Sequence, residues 1–476
     1  MNGNDTICAL ATAPGGALGI IRVSGPDALP IVSSLCSVSC ATCAANTVHY
    51  TRLLAPSIQY VAMPSQQEIL DDVILTIFHA PHSYTGEDTV EISCHGSRYI
   101  IQRILDVLVE QGCRMAQPGE FTMRAYFNGK MDLSQAEAVA DLITSTNKAT
   151  HDIALSQLRG HFSSELKTLR EKLLKLTSLL ELELDFSDHE DLEFADRTEL
   201  LTLARSIDTH ITRLAHTFET GQALKQGIPV AIIGKTNVGK STLLNALLKD
   251  DRAIVSDIHG TTRDTIEDTI DIRGVTFRFI DTAGIRQTTD AIERIGIDRT
   301  YAAIDKARIV LWLIDTPPAE AEITDITSRM AGNENVPART LIPVWNKADI
   351  IPPCPVCCDS IAAPIPISAK TGQGLPVLEQ AIYAAANIPA LTDTDVIITS
   401  ARHYEALTRA HGHLLRVLDG LGAANSQLSI FNSQLPTDLV AEDLRLTLDT
   451  LAEITGGLIT PQETLNNIFS HFCVGK

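Results

Sequence analysis

Positive charge is scarce in this 476-residue chain: 38 Lys and Arg stand against 58 Asp and Glu, for a formal net charge of −20. Phosphate affinity is largely electrostatic, so such a chain does not bind nucleic acid broadly and tightly by itself. An RNA-directed role then needs a local basic patch or a basic partner. No run of eighteen apolar residues occurs, which excludes a membrane-spanning helix. No basic segment precedes an apolar one at Met1–Asp5, so no secretory signal is read there. Ten cysteines over this length do not form the dense framework of a small secreted domain. Neither Cys36, Cys40 and Cys43 nor Cys354, Cys357 and Cys358 faces a second Cys pair at zinc-finger spacing, and both clusters are read as free thiols. The expectation is a soluble cytoplasmic protein of about three domains at ~150 residues each.

What is present is more specific. Gly234-Lys-Thr-Asn-Val-Gly239-Lys240-Ser241 fits the phosphate-binding pattern G-x-x-x-x-G-K-[ST]. It follows an apolar run, Ile228–Ile233, and precedes a helix-like run, Ser241–Leu248. A helix start offers free N–H groups and the positive end of a dipole, both suited to an anion. Asn237, Val238, Gly239, Lys240, Ser241 and Thr242 thus form a candidate phosphate cradle, with Lys240 for the β/γ-phosphates and the Ser241 hydroxyl for Mg²⁺. Four further segments follow in order. Gly260, Thr261 and Thr262 offer a second Mg²⁺ ligand; Asp281, Thr282, Ala283 and Gly284 offer a carboxylate for the metal's water shell and an N–H for the γ-phosphate. Asn346, Lys347, Ala348 and Asp349 place a carboxylate that accepts both N–H donors of a guanine edge, a discrimination made by paired hydrogen bonds. Ser368, Ala369 and Lys370 follow another β-like run, Pro364–Ile367. Five boxes in this order, each after a strand, resemble a Ras-like GTPase domain of the translation-factor-related class.

One part is missing. Ras-type enzymes orient the attacking water with a Gln directly after the third box, and here that position is Ile285. Arg263 and Arg286 are nearby, but sequence does not show where either points. Asn237 inside the cradle has a side-chain carbonyl suited to a monovalent cation near the β/γ bridge.

Segments outside the boxes carry a closer resemblance. They are Asp5–Ile7, Gly19–Gly25 with Arg22, Tyr84–Asp88 with Glu91 and His95–Gly96, Pro118–Phe121, Arg124–Lys130, Leu133–Asp141, Glu293–Gly296, Glu453–Gly456 and the closing Phe472-Cys-Val-Gly-Lys476. Along nearly its full length the chain resembles the MnmE (TrmE) family of tRNA modification GTPases. The resemblance implies a K⁺-dependent GTPase that acts with a flavin-dependent partner of the MnmG (GidA) type, the FAD being the partner's. Together they add an aminomethyl or carboxymethylaminomethyl group to C5 of the wobble uridine of certain tRNAs. It implies a homodimer, a heterotetramer with the partner, and a tetrahydrofolate derivative (5-formyl or methylene) at residues matching Arg22, Glu91, Lys130 and Lys476. It implies Mg²⁺ at Ser241 and Thr262, and K⁺ at Asn237, Ser256, Ile258 and Thr261, with Asp257 and His259 in the same nucleotide loop. Glu293 matches the water-orienting carboxylate, which meets the problem set by Ile285. Cys473 belongs to the closing motif and is read as a catalytic thiol against the alternative of packing. Two rival readings stay open from sequence: a ribosome-assembly GTPase, and a regulatory switch without tRNA chemistry.

Periodicity sets the organisation. Short β-like runs (Gly19–Val23, Asp72–Phe78, Thr89–Ser93) and a helix-like run (Tyr99–Gln111) give an α+β domain over 1–120. Leu166, Leu169, Leu173, Leu176 and Leu180 step by three and four, one apolar helical stripe. The pattern turns helical from Leu133 and returns near Arg402–Leu418 and Leu439–Leu451, so an α/β GTPase domain, 223–384, is read as inserted between two helical stretches; the resemblance implies that these, 121–222 and 385–476, form one all-α domain. Asp185–Asp191 reads as a solvated acidic turn and 420–436 as a flexible polar insertion.

Overall fold

Alternation in the first hundred residues builds a sheet whose one face carries the main apolar core. In the computed structural model of the chain, β2 (Leu18–Ser24) buries Ile21 and Val23, β4 (Ile69–Phe78) buries Val73, Leu75 and Ile77, and β5 (Thr89–His95) buries Val90, Ile92 and Cys94. The structure describes residues 5–55, 68–185, 197–249, 268–280, 303–330, 339–351, 362–388, 395–422, 437–457, 462–470 and 472–475. With β1 (Ile7–Leu10), β3 (Thr47–Leu54) and β6 (Arg114–Met115) the order is β3-β4-β5-β2-β1-β6, antiparallel except for the β1–β6 pair. Helices α1 (Ala28–Ser34) and α2 (Arg98–Glu110) supply Val32, Ile104 and Leu108 to the same core. Each fully buried Leu or Ile there contributes about 1.5–3 kcal/mol. Because strand side chains alternate, the register that buries Ile21 against Ile92 puts Arg22 and Glu91 opposite each other on the other face.

The helical part follows from the leucine stripe. All five leucines, from Leu166 to Leu180, are buried on α6 (His161–Asp185), which packs on α12 (Thr437–Thr455). Helix α3 (Glu120–Phe127), α4 (Leu133–Thr144) and α13 (Gln462–Ser470) share a cluster of Met123, Leu133, Ala136, Leu465, Phe469 and Phe472.

The second sheet is buried on both faces, as a parallel sheet must be. Its order is β12-β11-β10-β7-β9-β8, with only β8 (Asp268–Ile272) antiparallel to its neighbour. Central β10 (Ile309–Ile314) has all six residues buried, and it lies between β7 (Ile228–Ile233) and β11 (Thr340–Trp345). The other strands are β9 (Val275–Phe279) and β12 (Ile365–Pro366). Helices α8 (Lys240–Lys249) and α10 (Leu375–Ala385) bury Leu243, Leu247, Leu378 and Ile382 on one face, and α9 (Glu320–Met330) buries Ile323 and Ile326 on the other. Ligands of such sheets bind beyond the carboxyl ends of the strands. The phosphate cradle and the Asn346–Asp349 box both lie there.

The chain divides into two compact units: residues 1–143, 157–204 and 412–476, and residues 144–156 and 205–411. The expected architecture is met: a mixed α+β N-terminal sheet, an all-α part, and an α/β P-loop sheet between helical stretches.

Candidate nucleotide site and a second site at the N-terminal sheet

Beyond β7 the chain turns through a loop that only glycine permits at its closing step. Gly239 has φ 98°, and a Cβ there would collide with the Asn346 side-chain amide. Lys240 opens α8, and its Nζ donates to the carbonyls of Gly234 (2.6 Å) and Lys235 (2.8 Å). Burial pushes the Lys240 ammonium below its ordinary pKa. A half-buried cation held by two neutral oxygens is suited to exchange them for an anion.

Three segments far apart in sequence are laced together around this loop. Asn346 is buried; its Nδ2 donates to the Val238 carbonyl (2.7 Å) and its Oδ1 accepts from Ala369 N–H (3.0 Å). Lys347 Nζ donates to the Asn237 carbonyl (2.9 Å). Ala348 N–H donates to Ile367 (3.0 Å), and buried Ser368 accepts at Oγ from Thr371 N–H (3.3 Å). Asp349 and Lys370 are exposed at the rim, and Ser241 and Thr242 lie in the first turn of α8. Asn237 adopts φ 63°, its backbone carbonyl accepts from Lys347, and its side chain is exposed. Ser256, Asp257, Ile258, His259, Gly260, Thr261, Thr262, Asp281, Thr282, Ala283, Gly284, Ile285 and Glu293 lie outside the described residues. So do Arg263, Arg286, Lys476, Cys354, Cys357, Cys358 and most of the 185–191 and 420–436 segments.

In the other unit, Arg22 donates to Glu91 Oε1 from Nη2 (2.7 Å) and Nε (3.0 Å). The guanidinium lies 5.1 Å from the Tyr84 ring centroid and 5.6 Å from that of Phe121. Tyr84 Oη bonds Thr122 Oγ1 (2.8 Å), and burial raises the phenol's pKa. Lys130 Nζ donates to the Pro81 carbonyl (2.9 Å), closing the loop that carries Tyr84. An ion-pair network supports that loop from beneath. Arg124 donates to both Glu87 oxygens (3.2 Å each) and to Asp5 Oδ1 (2.7 Å), and Arg114 pairs with Asp5 and Glu120. Glu87 also accepts from Ser24 Oγ (2.8 Å). Burial drives the Glu120 and Asp5 carboxyls up, but the Arg114 and Arg124 guanidinia, joined at Glu120 by the Gln117 N–H (2.8 Å), outweigh it, leaving both below their ordinary values.

The closing segment reaches the same neighbourhood. Phe472 packs with Phe469 and Met123, Gly119 N–H donates to the Cys473 carbonyl (3.4 Å), and Cys473 is exposed. Gly475, at φ 94°, lies so close to Leu10 that a Cβ would meet its carbonyl. Leu10 pairs with Ile21 and Ala9 with Arg22, so this segment meets the end of β1, the strand next to the one that carries Arg22. Tyr84, Phe121 and the Arg124–Glu87 link were not singled out by sequence reasoning. Their presence in Tyr84–Asp88, Pro118–Phe121 and Arg124–Lys130 was the available signal.

Cys36, Cys40 and Cys43 are free thiols, and no group of three metal-ligating side chains occurs among the described residues. A hydrogen bond from Cys40 lowers the Cys36 thiol to about 7. No described helix is long and apolar enough to cross a membrane.

Two family models match this chain: the GTP-binding protein TrmE N-terminus over residues 6–130, and the MnmE helical domain over residues 133–473. A protein of Phocaeicola vulgatus named tRNA modification GTPase MnmE is 49% identical, with all of both chains covered. Proteins of the same name from Bacteroides fragilis (50% identical, 99% of each chain) and Porphyromonas gingivalis (47%, 99% of this chain and 98% of the other) agree over the same span. By the helical-domain model and by full-length identity near one half, the chain belongs to the MnmE family of tRNA modification GTPases.

Proposed function

We propose that this chain hydrolyses GTP in tRNA modification, with K⁺-dependent chemistry at the laced loops and a folate-type site at the N-terminal sheet. The observation that carries the reading is the lacing itself: phosphate cradle, base box and Ser368–Lys370 loop are joined through Asn346 and Lys347. Asp349, on the exposed rim, reads the guanine edge. Lys240 gives up two neutral carbonyls for phosphate oxygens, a charge-assisted exchange. Ser241 and Thr262 would hold Mg²⁺, and Asn237, Ser256, Ile258 and Thr261 would hold K⁺; bound there, the ions would supply positive charge for phosphoryl transfer, whose catalysis is chiefly electrostatic. Glu293 orients the attacking water in place of a Gln, and Asp281 and Gly284 complete the phosphate end.

Several features support the second site. Arg22 and Glu91 offer a cation and a carboxylate side by side on the sheet face opposite the main core, with side chains 16% and 24% exposed. Arg22 and the terminal Lys476 suit glutamyl carboxylates, Glu91 suits pterin N–H groups, and Lys130 stands at the loop's end. A tetrahydrofolate derivative bound there would supply the one-carbon unit. Cys473 acts at this site, on tRNA presented with a flavoprotein partner of the MnmG (GidA) type that carries the FAD. The acidic charge of the chain favours a basic partner for RNA binding. The working form is a cytoplasmic homodimer, and a heterotetramer with the flavoprotein. The domains are 1–120, 121–222 with 385–476, and the inserted 223–384.

Two measurements test the reading. GTP turnover in matched KCl and NaCl should be at least tenfold faster in KCl, because the smaller Na⁺ fits a K⁺-sized cage poorly; equal turnover overturns the cation assignment. Nucleoside analysis of tRNA from a deletion strain should show the wobble uridine unmodified at C5. Unchanged wobble uridine there would leave a GTPase switch without tRNA chemistry.

A further inference from the structure

Lys347 is held by more than the phosphate cradle. Its backbone has φ 61°, the left-handed region that a residue with a side chain seldom occupies. Its Nζ has two acceptors, the Asn237 carbonyl at 2.9 Å and the Asp315 carboxylate at 2.7 Å. Asp315 is the first residue beyond β10, and β10 lies between the strand that feeds the cradle and the strand that feeds the base box. Its carboxylate therefore stands at the carboxyl edge of the sheet, between the two loops that Lys347 joins. We propose that Asp315 is a positioning residue for guanine nucleotide, acting through Lys347 to hold the base box against the phosphate cradle. The inference rests on the guanine-nucleotide reading above and adds a residue outside all five boxes.

The bland alternative is an ordinary surface ion pair, which contributes about 0–1 kcal/mol and touches no function. The geometry argues for more. The side chains of Lys347 and Asp315 are 36% and 22% exposed, so the pair is partly shielded. With the carboxylate removed, Nζ keeps one neutral acceptor and its four-carbon stem is free to leave the cradle. The backbone of the base box then loses one of its ties, while Asn346 keeps the other. Nucleotide affinity should fall, and the chemical step, which depends on groups at the phosphate end, should not.

The test uses the full chain and fluorescent GDP. Asp315→Ala should weaken GDP binding about tenfold, and Asp315→Asn by less, since the amide oxygen still accepts. Turnover at saturating GTP should stay within twofold of wild type, the pattern of lost uniform binding. Lys347→Ala should weaken binding at least as much as Asp315→Ala. The double variant should be no weaker than Lys347→Ala alone, since Asp315 acts through Lys347. GDP affinity within twofold of wild type in Asp315→Ala, or additive losses in the double variant, would overturn the proposal. If the Ala variant fails to fold, Asp315→Asn and its cycle with Lys347→Ala give the same decision. Wild-type protein that binds no GDP would sink the guanine-nucleotide reading itself, a separate outcome.

Discussion

Two cations, Lys240 and Arg22, belong to the two proposed sites and are held in opposite ways. Among the described residues Lys240 donates to two backbone carbonyls, so the partners seen there are dipoles. Arg22 donates twice to Glu91 and lies beside two aromatic rings, so its charge is already matched. The first arrangement favours a polyanion, since the two carbonyls are neutral and a phosphate oxygen is the stronger acceptor for an ammonium. The second favours a ligand with both acidic and N–H donor faces, which can be bridged by the pair without separating it. A simple phosphate gains little at Arg22, because it would compete with a carboxylate placed by strand register. On the proposed reading, the difference lies between a site that takes on charge and one that recognises shape and pairing.

The largest test breaks the nucleotide side of this contrast. Asp349→Asn should move preference from GTP towards xanthosine triphosphate by about 10⁴-fold, since sites built to hydrogen-bond a group discriminate by 10⁴–10⁵. Competition of the two triphosphates for the variant measures it, and unchanged preference would remove Asp349 from base reading. The second test concerns the other side. Cys473→Ser should reduce wobble-uridine modification at least 10²-fold while GTP turnover and melting stay as in wild type. Serine keeps the size but is far less acidic and nucleophilic than a thiol. Cys473 is exposed while its neighbour Phe472 is buried, so loss of packing is not the expected route. Full modification in a strain carrying only the Ser variant would leave the residue structural.

Glu293→Ala should lower kcat by about 10²–10³ with nucleotide Kd nearly unchanged, as expected for an interaction made mainly in the transition state. Turnover measured beside Kd separates this from loss of a helix prop, which would weaken both.

The same contrast explains what was legible in the sequence. The phosphate cradle is consecutive residues after a strand, so its chemistry shows as a spacing, and Ile228–Ile233 is the strand expected. Leu166 to Leu180 show their helix by period and are all buried on α6. The Arg22–Glu91 pair depends on β-strand register between residues 69 apart, and no local pattern encodes that. Gly475 against Leu10 and Lys347 with Asp315 are likewise made by folding. Arg22, Glu91 and Lys130 came from family resemblance alone, while Tyr84 and Phe121, which flank Arg22, were visible only once the sheet was built.

The smallest effect probes the support beneath the Arg22 site. Glu120 is 2% exposed and bound to Arg114 and Arg124. Breaking a fully buried pair from one side costs about 3–5 kcal/mol. Arg114 is 42% exposed, so water screens part of the loss, and Glu120→Gln should cost about 2–3 kcal/mol. The chain has two compact units, so a single melting temperature blurs the effect. Hydrogen exchange over Arg114–Phe127 reads it locally. The pH dependence fixes its cause. The Glu120 carboxyl titrates below its ordinary 4.5 in the folded chain, so its contribution is fully present above the unfolded value and is lost as pH falls through the folded one. Local stability of wild type should therefore exceed that of the Gln variant by a constant amount above about pH 5, and the gap should close towards acid. Loss of shape alone would give a gap independent of pH, and Glu120 would then be a packing residue whose charge does not hold the Tyr84 loop.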